Sequence, residues 1–146
     1  MKVSVSVWCH LDEVLLFHGT DSCNISLIFT ENFRPDARPV NREKASAFGN
    51  GIYFSDNFST ALRYGSSKTV ILSRVLLGKV DTGANMGRFE LMNERQMPKD
   101  CDSKSVGSGY SGIRVVKSPD QVLPFCIIHM NLTMQCNRGL SAFRYT

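Results

Sequence analysis

Val3, Val5 and Val7 alternate with Ser4 and Ser6 across residues 2–8, a period of two that gives a strand one apolar face. A short apolar run at 14–17 and further runs at 69–77, 113–116 and 125–130, rich in Val, Ile and Leu, also read as strands. Helical periodicity is scarcer. Ile25, Ile28, Phe29 and Phe33 recur at intervals of three and four behind Asp21 or Ser22, either of which suits an N-cap. A second short helix is expected over 57–64, with Asp56 as its cap. About five or six strands and two short helices predict an α+β chain with strands in excess.

The remaining stretches read as loops. Residues 34–46 carry Pro35 and Pro39 among mixed charges, and 81–112 is long, polar and broken by Gly83, Gly87, Pro98, Gly107 and Gly109. Long loops in a small domain are expected as binding lids or disorder. A chain of 146 residues supports one core, so residues 1–134 are expected as one domain and 135–146 as a C-terminal tail.

Composition narrows the class. Charged residues make up 21% and apolar residues 42%, which is the balance of a folded globular chain and excludes a disordered or fibrous one. The net charge of +4 is spread without a run of like charges, which suits a phosphate-bearing ligand and does not call for a nucleic-acid surface. No apolar stretch is long enough to span a membrane, and the first residues lack a signal-peptide core. The five cysteines have no C-x-x-C spacing, so free thiols and a cytoplasmic or nuclear location are expected. Nor do His10, His18 and His129 show metal-ligand spacing with them, and no metal is expected.

Candidate chemistry gathers at Leu16-Phe17-His18-Gly19-Thr20 and at Gly49-Asn50-Gly51-Ile52-Tyr53-Phe54. A histidine before a glycine at a strand end offers an imidazole and an unobstructed backbone to one cavity. Alone, His18 reads as a hydrogen-bonded structural residue and Gly49-Asn50-Gly51 as a turn. In combination they acquire a second meaning.

These segments are followed by Tyr64, by the strand 70–77 with Gly78, by Asp102-Ser103 and by Asp120-Gln121-Val122-Leu123-Pro124. In that order they resemble the catalytic domain of poly(ADP-ribose) polymerases, over roughly residues 14–132. The resemblance implies an ADP-ribosyltransferase fold of mixed, mainly antiparallel split sheets with a few short helices. It also implies NAD as substrate. His18 matches the histidine that hydrogen-bonds a ribose hydroxyl, Gly19 the glycine whose backbone binds the nicotinamide amide, and Tyr53 and Tyr64 the aromatic pair that sandwiches the ring. Thr20 continues the His-Gly segment, and Arg34 resembles a residue that opens the loop over the adenosine side of NAD.

Two positions depart from the family pattern. Counting back from Gln121, the glutamate of polymer-forming members falls at Ile113, so no carboxylate is expected there to activate a ribose hydroxyl. Members with an aliphatic residue at that place attach single ADP-ribose units or are inactive. The serine expected eight residues after Tyr53 is Ala61, with Ser59 or Thr60 as substitutes if the helix starts one residue differently. Only seventeen residues precede His18, so the domain reads as a minimal version.

The leading expectation is a mono-ADP-ribosyltransferase that uses NAD and modifies a protein side chain, acting as a monomer off the membrane. A silent NAD or ADP-ribose reader is the alternative, favoured by Ile113 and Ala61. An RNA 2'-phosphotransferase-like enzyme fits less well because such enzymes lack the Gly-Ile-Tyr-Phe segment. Toxin-like relatives are weaker still, since the chain has no Glu-x-Glu.

Overall fold

The computed structural model describes residues 13–35, 48–65, 68–82, 97–106 and 112–130, together with the backbone of 134–136. The expected strand at 2–8 and most of the loop at 34–46 lie outside the described residues.

Strands β1 (Glu13–Gly19) and β3 (Thr69–Leu76) pair antiparallel along their whole lengths, from Glu13 opposite Leu76 to Gly19 opposite Val70. β3 pairs in turn with β7 (Val122–His129), as their apolar runs predict. Pro124 sits in β7 beside a register shift at Leu72 and Ser73, the kind of irregularity where a strand tolerates a residue without an N–H. β2 (Ile52–Ser55), β4 (Val80–Asp81), β5 (Ser103–Ser105), β6 (Ile113–Val116) and β8 (Met134–Cys136) complete an eight-stranded sheet ordered β4-β5-β6-β2-β1-β3-β7-β8. Among the described strand pairs only β4 and β5 run parallel. β1 and β2 meet at one registered pair, Phe17 opposite Ser55.

Four of these strands, β2, β4, β5 and β8, are not among those the sequence predicts. β4 and β5 interrupt the stretch expected as one long loop. β5 reads Ser-Lys-Ser, so no apolar period betrays it, yet Ser103 and Lys104 are fully buried. β8 carries the sheet two residues past 134, because Gln135 and Cys136 pair with Ile127 and Cys126.

The helices fall where periodicity puts them. α1 (Ser22–Glu31) has Asp21 at its N-cap position and lays Ile28 on the sheet, with Ile25 and Phe29 partly buried beside it. α2 (Phe58–Leu62) starts one residue later than Asp56 would allow. Asn57 is its cap, accepting a 3.0 Å hydrogen bond from the Thr60 amide. No helix among the described residues is long and apolar enough to cross a membrane.

Two apolar clusters occupy the two faces of the sheet. The larger joins Leu16, Ile52, Phe54, Ile71, Val75, Val116 and Val122 to Ile28 and Phe33 on the α1 side. The smaller joins Phe48, Val106, Ile113 and Val115, with Tyr53 and Met97 against it.

Three of the sequence landmarks turn out to form one hydrogen-bonded knot at the end of β3. Gly78 takes φ +59°, and a Cβ there would come within 2.4 Å of the Asp102 carboxylate. That carboxylate accepts a 2.8 Å bond from the Lys79 amide, while the Ser103 hydroxyl donates to the Leu77 carbonyl at 2.7 Å. Gln121 donates to the carbonyls of Leu76 (2.9 Å) and Asp102 (3.2 Å), and its own carbonyl oxygen closes a capping box with Ser118. The knot ties β3 to the turn before β7 and thereby fixes the strand beside β1.

Candidate active site

His18 is the next-to-last residue of β1, where alternation puts it on the same face as Leu16. Its ring meets Phe33 edge-on at 4.8 Å between centroids and lies 5.6 Å from Phe54. Its Nδ1 stands 2.7 Å from the backbone carbonyl of Tyr53. A carbonyl can only accept, so Nδ1 carries the hydrogen, and in the neutral ring Nε2 keeps its lone pair. Burial pushes the imidazole pKa down, opposed by the bond to the Tyr53 carbonyl, so the neutral form is favoured. The ring is therefore held in one orientation, with Nε2 as its acceptor atom.

Gly19 faces the other side of the sheet and lies under the end of α2. An added Cβ would fall 1.8 Å from the Ala61 carbonyl oxygen and 3.3 Å from the Tyr64 Cβ. Glycine is thus required for the helix to approach the strand, apart from any ligand. The Asn57 cap sets the register of α2, which turns Ala61 inward at 2% exposure and leaves Ser59 exposed. The helix starts one residue later than expected, and of Ser59, Thr60 and Ala61 it is Ala61 that is buried, with Thr60 half-buried.

Tyr53 lies in β2 on the α2 face. Its hydroxyl donates to the Gly49 carbonyl at 2.5 Å and accepts from the Phe48 amide at 3.1 Å, so it clamps the turn that leads into the strand. Burial raises the Tyr53 pKa; the Phe48 bond lowers it and the nearby Tyr64 raises it further. The phenol stays protonated at neutral pH. Tyr64, just beyond α2, is 49% exposed. The two tyrosines and Gly19 meet at the end of α2.

Ile113 opposes Ser55, as Val115 opposes Tyr53, so Ile113 shares the face of Tyr53. It is 5% exposed and packs in the cluster with Phe48, Val106 and Val115. Thr20 is buried; its backbone lies against Gly65 and its hydroxyl accepts a 3.3 Å bond from Asn24. Arg34 stands exposed after α1 and pairs with Glu31. Among the described residues no group of three His, Cys, Asp or Glu side chains gathers to hold a metal.

Sequence reasoning missed the partners that fix these groups. Phe54 reaches His18 only through the register of β2 on β1, and Phe48 and Gly49 reach the Tyr53 hydroxyl only through the turn. The Gly-rich spacing before Tyr53 was the one available signal.

No curated protein matches the chain. The family profile of the poly(ADP-ribose) polymerase catalytic domain, however, matches residues 5–124, a span that includes His18, Gly19, Tyr53, Tyr64 and Ile113. The chain belongs to the poly(ADP-ribose) polymerase catalytic-domain family, an ADP-ribosyltransferase fold with NAD as its substrate.

Proposed function

We propose that the chain is a mono-ADP-ribosyltransferase, which moves one ADP-ribose unit from NAD to a protein side chain and releases nicotinamide. The observation that carries this reading is His18: a neutral imidazole whose Nδ1 is committed to the Tyr53 carbonyl, leaving Nε2 to accept a ribose hydroxyl. Gly19 supplies backbone groups for the nicotinamide amide, and the rings of Tyr53 and Tyr64 stack on the leaving group. Breaking the nicotinamide–ribose bond sends its electron pair to nicotinamide and leaves an oxocarbenium-like sugar for the acceptor. A fixed acceptor and a stacked leaving group favour that geometry over water.

Transfer of single units rests on the match of Ile113 to the family's glutamate position, where it brings no carboxylate; its own side chain packs with Phe48, Val106 and Val115. Arg34 then meets the adenosine side of NAD from the end of α1. A reader that binds NAD or ADP-ribose without turnover is the second reading. Its specific support is the inward-facing Ala61, which offers no hydroxyl to the nicotinamide carbonyl.

Incubation of the full chain with NAD and a protein acceptor tests the choice, with nicotinamide release and attached mass as readouts. Release above buffer with single ADP-ribose additions, abolished by His18→Ala in a variant that remains folded, is expected. Retained NAD binding without release would make the chain a reader, and ladders of polymer would overturn the role given to Ile113.

A further inference from the structure

β8 is the last of the described strands in the sheet, and it pairs antiparallel with β7 in a register that puts Cys136 directly opposite Cys126. Opposed residues of an antiparallel ladder have Cα atoms about 4.5 or 5.5 Å apart, according to the type of pair, and belong to the same face of the sheet. Both separations lie inside the window of about 4.4–6.8 Å that a disulfide spans without backbone movement. Cys126 is buried between β3 and β8, opposite Leu72 on one side and Cys136 on the other. The other described cysteines are placed differently: Cys23 lies exposed on α1 and Cys101 is buried before β5, so neither shares a ladder with a second cysteine.

We infer that Cys126 and Cys136 form a reversible cross-strand disulfide that fastens β8 to β7 when the chain meets an oxidised low-molecular-weight thiol. The Cys136 thiolate, on the last of the described strands, attacks the small disulfide and expels one small thiol, which gives a mixed disulfide on the protein. The Cys126 thiolate then attacks the protein sulfur of that intermediate and expels the second small thiol. Two protein thiols and one small disulfide thus become one protein disulfide and two small thiols. The bond closes a short loop over residues 127–135, and two strands, β3 and β7, separate the strand it secures from β1, which carries His18. In a reducing compartment both cysteines are thiols.

The test uses the full chain, incubated with oxidised or reduced glutathione, blocked under denaturing conditions and mapped by peptide mass. A Cys126–Cys136 linked peptide, with loss of two blockable thiols and recovery of both under dithiothreitol, is the expected result. The β8 amides should also exchange more slowly in the oxidised form. Cys136→Ser should abolish the link, and Cys126→Ser should do the same. Recovery of both cysteines as blocked thiols at an oxidant level that converts Cys23 would overturn the inference, as would linkage of either to a different cysteine. A link that forms while β8 exchange is unchanged would overturn the fastening.

Discussion

Replacing Gly19 with alanine tests the packing that builds the site. The new methyl would lie 1.8 Å from the Ala61 carbonyl oxygen and 2.8 Å from its carbon, against a floor near 3.0 Å for real Cβ contacts. The clash is with backbone, so no rotamer change relieves it. The end of α2 must back away from β1 by at least 1.2 Å, the gap between 1.8 Å and 3.0 Å. Overpacking of this kind costs about 1–3 kcal/mol, and at about 2–4 °C per kcal/mol for a chain of this size the melting midpoint should fall by about 2–12 °C. The displacement also carries Tyr64 away from Tyr53, so binding of NAD, followed by calorimetric titration, should weaken more than stability alone accounts for. An alanine variant that melts and binds like the parent would refute both the close approach of α2 and the role proposed for the two tyrosines.

Three further outcomes follow from the same geometry. Tyr53→Phe leaves the Phe48 amide and the Gly49 carbonyl without their hydroxyl partner, and chemical denaturation should show a loss of about 1–3 kcal/mol, whereas an unchanged midpoint would mean that the clamp contributes nothing. Ala61→Ser should tighten NAD binding about 2- to 12-fold, the equivalent of one neutral hydrogen bond of about 0.5–1.5 kcal/mol, and an unaltered titration would show that residue 61 does not reach the nicotinamide. Because burial lowers the His18 pKa, the unfolded chain takes up a proton first as pH falls through the ordinary imidazole value of about 6.5. The His18 contribution is therefore intact above that pH and declines on the acid side until the folded ring protonates. His18→Gln should flatten this part of the stability profile, and an equally steep acid limb in the variant would assign the effect to another group.

Much of the sheet was legible because β1, β3, β6 and β7 are apolar runs bounded by polar turns, and burial on a sheet leaves that mark in sequence. β5 was not legible, since its buried Ser103 and Lys104 have polar side chains and no hydrophobic period reports them. β2 hid inside a motif whose glycines read as a turn. Local chemistry also misdirected the start of α2, because Asp56 and Asn57 are both good caps and only the fold selects Asn57.

The sequence by itself determined which residues carry the resemblance, the order in which they stand, and the apolar Ile113 in place of a carboxylate. The tertiary structure alone decided how they meet. His18 acquires its tautomer from a carbonyl 35 residues away, Gly19 is explained by a helix end that contacts it only in the folded chain, and Ile113 joins an apolar cluster through strand register. Such relations depend on non-local pairing, and a one-dimensional pattern records a residue's own burial without recording which neighbour buries it.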